Sequence, residues 1–298
     1  MAAPHEITPT QLNRLLGTPD APIIIDLRID EDFDDDPRLI PTAYRHSHQD
    51  LAALEQKLFR THHQHTHHQN TPLKNIVVYC QKGRKISQGA AARLRVKGFA
   101  VEALEGGQFA WRDAGLPMID ASVPLTRNAE GNTVWVTRHR PKIDRLACPW
   151  LIRRFIDPKA EFLFVPPQDV ELVAEKFAAT PFDIEGVQFS HRGELCSFDA
   201  FLQDFGLVSD ALNHMALVIR GADTNNHDLT PQSAGLLAFS VGLSRMYKED
   251  LPQLDAGMLL YDALFRWARD GMNEGHDWPL ASAVSGAASS SVSGAVSS

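Results

Sequence analysis

Cys80 stands where the apolar run Asn75-Ile-Val-Val-Tyr79 ends, and Gln81, Lys82, Gly83, Arg84 and Lys85 lead from it into a segment of helical pattern. A helix N-terminus presents unpaired N–H groups and a partial positive charge, so a thiol held there ionises more readily. Arg84 and Lys85 add to that effect. Gly83 permits a tight turn in which several amides face inward as an anion cradle. A thiolate in such a cradle suits sulfur transfer or phosphoryl transfer. Cysteine-dependent phosphatases and related arsenate reductases place an arginine six positions after the cysteine to clamp three oxygens. Here that position is Ile86, and the cations come earlier, as Lys82, Arg84 and Lys85, which disfavours phosphatase chemistry.

Two further groupings lie in the second half. Arg138, Arg140, Lys142, Arg145, Arg153 and Arg154 crowd one stretch of an otherwise acidic chain. Guanidinium forks match tetrahedral oxygens, so Arg138, Lys142, Arg145 and Arg153 make a candidate oxyanion patch. The competing reading is a solvated helix face with ordinary ion pairs. His191, Glu194 and Cys196 fall within six positions, with Asp223 following a helical segment. These are competent ligands for a divalent metal, although no CxxC or HExxH spacing supports one, and a hydrogen-bonded structural cluster is the alternative. Seven of the thirteen histidines lie between His46 and His68. That run binds metals adventitiously and reads as a solvated loop insertion.

The elements that position these residues are legible from their patterns. Thr8, Pro9 and Gln11 form a capping box that opens a helix. Pro22-Ile-Ile-Ile-Asp26 and the run before Cys80 read as strands buried on both faces, hence a parallel sheet. A helix over 87–97, stopped by Gly98, and a strand over 99–104 before Gly106-Gly107 complete a strand–helix–strand order. The first unit is therefore an α/β domain over 5–120, with a central parallel sheet and flanking helices. Residues 121–132 read as a linker. A helix-rich α+β domain follows over 133–270, opening with the strand 133–137. Further strands are expected at 161–165 and 187–191, and helices at 169–178, 197–205, 211–220, 231–243 and 254–269. Ile143, Leu146, Ala147, Trp150 and Leu151 recur at helical spacing, with Pro149 starting or kinking a helix. Residues 271–298 read as a disordered tail, the last eighteen being only Ala, Ser, Val and Gly.

A length of 298 residues allows roughly two domains of 100–200 residues. The net charge of −8 makes nucleic acid an unlikely partner through bulk basic charge. Three cysteines, an odd and sparse number, argue for a reducing compartment. No leader pattern and no spanning apolar stretch are present, so the expectation is a cytoplasmic protein with no membrane partner.

Around Cys80 the chain resembles a rhodanese domain, a cysteine-based sulfurtransferase. The matching residues are Ile24-Ile-Asp26-Leu-Arg28, Ile40-Pro-Thr-Ala43, Val78-Tyr-Cys80-Gln-Lys-Gly83, Gly106-Gly-Gln-Phe-Ala-Trp111 and Gly115-Leu-Pro117. Thr42 replaces a usual glycine, and Ile86 stands where serine is common, with Ser87 one place later. The resemblance implies that Cys80 carries a sulfane sulfur and that the family's Asp-x-Arg falls on Asp26 and Arg28, a pair bracing the loop. It implies a small anionic sulfur donor such as thiosulfate and a thiol acceptor as partners, with no cofactor required for transfer. The second half resembles the chromate-resistance protein family through Arg140–Arg145, Trp150–Asp157, His191–Asp199 and Arg220–Asp223.

Three functions follow as expectations. The first is a persulfide-forming sulfurtransferase fused to a chromate-resistance domain, in oxyanion detoxification or sulfur handling, with chromate itself as a candidate ligand. The second is a chromate-responsive regulator or sensor with a scaffold rhodanese domain. The third is a metal-dependent enzyme in the C-terminal domain.

Overall fold

The computed structural model describes residues 4–65 and 75–275, with backbone alone for 61–65. Its first half contains strands β1 (Glu6–Ile7), β2 (Ile23–Asp26), β3 (Arg38–Leu39), β4 (Tyr44–Arg45), β5 (Ile76–Tyr79), β6 (Val101–Leu104) and β7 (Ile119–Asp120). Five of them form one parallel sheet in the order β1-β6-β5-β2-β4, while β3 and β7 pair antiparallel as a separate ribbon. Side chains alternate across the pleat. Ile25, Val78 and Ala103 enter one core, and Ile24, Val77, Tyr79 and Leu104 enter the other. Helices α1 (Pro9–Leu15), α2 (Asp30–Asp34), α3 (Leu51–His65), α4 (Lys85–Val96) and α5 (Gly107–Asp113) accompany the sheet. The capping box is present: Gln11 N–H donates to Thr8 Oγ1 at 3.2 Å and Thr8 N–H donates to Gln11 Oε1 at 2.9 Å.

The second half holds a three-stranded parallel sheet, β10-β8-β9, from β8 (Val134–Arg138), β9 (Glu161–Val165) and β10 (Thr180–Pro181). Around it lie α6 (Asp144–Leu151), α7 (Val170–Phe177), α8 (Ser197–Asp204), α9 (Asp210–Asp223), α10 (Ser233–Met246) and α11 (Asp250–Arg266). Wider π-helical turns extend α6 over Ile152–Ile156 and α11 over Trp267–Gly271. Pro149 lies inside α6. The core is aromatic: Trp135 packs against Phe189 and Phe201, and the Phe189 and Phe201 rings stack at 4.6 Å.

The halves are pinned to each other through hydrogen bonds to backbone carbonyls. Thr42 N–H donates to Phe155 O at 2.9 Å, Asp120 N–H to Phe205 O at 2.9 Å, and Arg269 Nη1 to Arg14 O at 3.1 Å. Gly17 (φ +71) slides under two rings; a Cβ there would lie 2.5 Å from Phe265 Cε1 and 2.7 Å from Phe155 Cζ.

Two expectations are corrected. Residues 187–191 form no strand; one isolated bridge joins Phe182 to Phe189. Phe189 is buried there while Val187 is only partly so, and His191 turns toward Asp223, Asp183 and Asp144. The middle of the histidine run is not loop: His46 and His48 lie in the turn before α3, but the backbone is helical from Leu51 to His65, because Leu54 and Leu58, one turn apart, dock α3 into the core beneath the sheet. The remainder of that run and most of the expected disordered tail lie outside the described residues.

Candidate functional site

Cys80 follows directly on β5 and is buried, with Sγ 3.3 Å from Ser87 Oγ. The loop that carries it rests on the start of α5. Gln108 N–H donates to Cys80 O and Phe109 N–H to Gln81 O, both at 3.0 Å. This seat requires glycine on both sides. A Cβ on Gly107 (φ +62) would stand 2.2 Å from Cys80 O and 2.4 Å from Gly83 N, and one on Gly83 (φ +64) would stand 2.6 Å from Gly107 N. While α5 holds the loop's carbonyls, the N–H groups of Arg84, Lys85, Ile86 and Ser87 have no acceptor among the described residues. They are the open first turn of α4, where an anion is favoured. Lys82, Arg84 and Lys85 are exposed and pair with no acid among the described residues. Gln81 and Gly83 complete the loop.

Asp26 and Arg28 form a fully buried pair, with Nη2 to Oδ2 at 2.7 Å and Nε to both carboxylate oxygens. The same guanidinium donates to Asp36 O and Arg38 O, each at 2.8 Å. Asp36 in turn accepts from Gln108 Nε2 at 2.7 Å. The chain of contacts from Asp26 therefore ends on the residue whose amide holds Cys80 O. Hydrogen bonds from Arg38 hold the Asp36 carboxyl below its ordinary range, with Gln108 assisting against partial burial. Thr42 has a left-handed backbone, at φ 67, with its hydroxyl buried and without a hydrogen-bond partner among the described residues.

In the second half the structure assembles a site that sequence proximity places only in part. His191 Nε2 lies 3.1 Å from Asp223 Oδ2, 3.5 Å from Asp183 Oδ1 and 3.6 Å from Asp144 Oδ2. Asp144 opens α6, Asp183 follows β10, and Asp223 ends α9. Hydrogen bonds to Asp183 and then Asp223 push the His191 imidazole up to about 10. Burial, then repulsion from Asp223 and Asp183, drives Asp144 well above the carboxylate range. Burial opposes ionisation of Asp183 too, but His191, Ser197, Arg145 and Arg138 outweigh it and hold that carboxyl low. Glu194 is exposed and is not part of this group. Cys196 is buried at the start of α8, where its N–H donates to Asp199 Oδ2. Burial pushes its thiol far up, and its sulfur is not among the donor atoms gathered around His191.

The cation patch does not form one cradle. Arg138 and Arg145 both reach Asp183, at 3.0 and 3.3 Å. Arg153 pairs with Asp255 at 3.5 Å and lies over the Phe162 ring, and Lys142 is exposed. The expected anion site is thus largely neutralised by acids. Arg138 nonetheless lines an open cleft of about 570 Å³ with Asp183, Ser190 and His191.

The parallel sheet with a cysteine loop at the end of its central strand defines the first half: residues 8–114 match the rhodanese-like domain family. Residues 135–268 match the family described as ChrB, C-terminal domain, so the chain is a fusion of a rhodanese-like domain with a ChrB C-terminal domain. A curated relative, Protein ChrB of Cupriavidus metallidurans, is 31% identical over 195 residues, which cover 61% of this chain and 59% of the relative. The chain therefore spans somewhat more than half the length of that protein. Among solved structures, the thiosulfate sulfurtransferase of Pseudomonas aeruginosa is 27% identical, covering 40% of this chain and 20% of the other with a TM-score of 0.31. A rhodanese-related protein of Thermoplasma volcanium is 18% identical, covering 38% and 96%, with a TM-score of 0.29. No helix among the described residues is long and apolar enough to cross a membrane.

Proposed function

We propose that the chain is a cysteine-persulfide sulfurtransferase whose N-terminal domain takes sulfur from a small anionic donor of the thiosulfate type, and that it serves chromate or oxyanion resistance. The observation that carries this reading is the seat of Cys80. A thiol faces the open first turn of α4, beside Ser87 and three exposed cations that pair with no acid among the described residues.

Lys82, Arg84 and Lys85 draw the dianion to the loop. Cys80 thiolate attacks the outer sulfur of thiosulfate. The Sγ–S bond forms as the donor's S–S bond breaks, and sulfite departs with that electron pair. The terminal persulfide sulfur keeps the negative charge, and the free amides of Arg84 to Ser87 together with Ser87 Oγ are placed to solvate it. An acceptor thiolate then attacks the terminal sulfur, and Cys80 leaves as thiolate. No cofactor takes part.

Thiosulfate-dependent thiocyanate formation with cyanide as acceptor, measured on the full chain and on Cys80→Ser, tests the reading. The expected result is turnover in the first, none in the second, and a mass gain of one sulfur atom on the peptide bearing Cys80. Equal turnover in both, or no sulfur on Cys80, overturns it. In that case the regulator reading gains, and release of the chain from a specific promoter by chromate would be its evidence.

A further inference from the structure

We infer that Asp144, His191 and Asp223, backed by Asp183, form a binding site for a first-row divalent cation of the Mn²⁺ type, reached through the cleft beside Arg138 and Ser190. One donor atom from each of Asp144, His191 and Asp223 lies within 4.8 Å of the others. With bonds of about 2.0–2.2 Å, opposed ligands around a single ion stand roughly 4 Å apart, so this spacing closes onto an ion with small side-chain movements.

Asp144 makes the case more than a group of acids. Its side chain is 1% exposed and points into the cluster, with Oδ2 3.6 Å from His191 Nε2 and accepting the Ser197 N–H at 2.6 Å. Its other oxygen, Oδ1, is buried and has no hydrogen-bond partner among the described residues. A buried carboxylate oxygen left unsatisfied is costly, and a bound cation removes that cost. The charges agree. Arg138 and Arg145 both pair with Asp183, while the His191 ring nitrogen stands within 3.6 Å of Asp144, Asp183 and Asp223 alike. A dication held there would face Asp144 and Asp223 together with the imidazole nitrogen.

The surroundings hold these ligands still. Ile143, just before Asp144, has φ 42, and Asp183 has φ 52. Tyr261 Oη–H donates to Ile143 O at 3.0 Å and Ile143 N–H donates to Ser240 Oγ at 2.9 Å, fixing the first of these strained residues. Ser197 Oγ–H donates to Asp183 Oδ1 at 2.8 Å, orienting the carboxylate behind the site as outer partners of metal ligands do. Oxygen donors with one imidazole suit Mn²⁺ or Fe²⁺ and disfavour thiophilic ions. The half-exposed His191 ring gives the ion a way in from the cleft.

The test is titration of the chelator-treated full chain with Mn²⁺, following loss of the free-ion paramagnetic resonance signal and the shift in Tm. One Mn²⁺ per chain and a raised Tm are expected. His191→Ala and Asp144→Asn should each bind at least tenfold more weakly, as loss of even a supporting group does. The imidazole-only run offers Mn²⁺ little, so a full-length variant with His62, His63, His65, His67 and His68 changed to Gln should bind like the parent. Cys80→Ser should also bind unchanged, so sulfur transfer and metal binding fail independently. If Asp144→Asn does not fold, His191→Ala, with its more exposed side chain, decides the matter. The inference is overturned by no stoichiometric Mn²⁺ on the parent chain, by unchanged affinity in a folded His191→Ala, or by loss of binding with the histidine run.

Discussion

Substituting Gly107 by Ala tests the seat of Cys80 most directly. The new methyl would meet backbone on both sides, Cys80 O at 2.2 Å and Gly83 N at 2.4 Å, where no flexible side chain can yield. The loop must lift, and the hydrogen bonds from Gln108 and Phe109 to Cys80 O and Gln81 O then stretch or break. Placing a non-glycine residue at φ +62 costs about 1–2 kcal/mol, and two lost hydrogen bonds cost about 1 kcal/mol each, so roughly 3–4 kcal/mol is expected. Gly115→Ala is the control, since Gly115 has φ +64 but no atom within 4 Å of a Cβ. It should cost only the first part, about 1–2 kcal/mol. Urea unfolding of the two full-length variants gives the difference, about 2 kcal/mol, and thiocyanate formation should collapse in Gly107→Ala while surviving in Gly115→Ala. Equal destabilisation by both, with equal activity, would refute the claim that the Gly83–Gly107 contact shapes the loop.

Arg28→Ala strands a fully buried Asp26 carboxylate and should cost about 3–5 kcal/mol in urea unfolding. Thr42→Gly should instead stabilise. It removes left-handed strain of about 1–2 kcal/mol and an unpartnered buried hydroxyl, against about 1 kcal/mol of added chain freedom, leaving a gain near 1 kcal/mol visible as a higher urea midpoint at constant m-value. Asp36 is held below its ordinary range by Arg38, so its contribution is present above the unfolded value near pH ~3.9 and disappears as pH falls through the lower folded value. Asp36→Asn should therefore flatten the acid limb of the stability profile, and an unchanged limb would contradict the assignment.

Local chemistry made much of the first domain legible. The Thr8–Gln11 box, the runs ending at Asp26 and Tyr79, and the cysteine loop all express themselves within a few neighbouring residues. The second site was legible only in part, because its members come from distant elements. His191 and Asp223 drew notice, whereas Asp144 hid within a stretch dominated by Arg140, Lys142 and Arg145. The one acid in that stretch was the available signal. Asp183 takes a left-handed backbone and faces two arginines, a role no periodicity encodes. Glu194 and Cys196 misled by nearness in the chain: the entry into α8 turns Cys196 inward beside Asp199 and leaves Glu194 in solvent. Residues 187–191 alternate like a strand, yet Phe189 is there to complete an aromatic stack rather than a ladder.

The seam where Gly17 lies beneath Phe155 and Phe265, and where Thr42 donates to Phe155 O, bears on any attempt to cut the molecule in two. Scission within 121–132 would bare both rings on the carboxyl-terminal fragment and leave Thr42 without its acceptor on the other. Each piece would emerge with a sticky wound, prone to clump or to rejoin its mate. Dissecting the activities is therefore better done by point changes in the intact polypeptide than by expressing its halves.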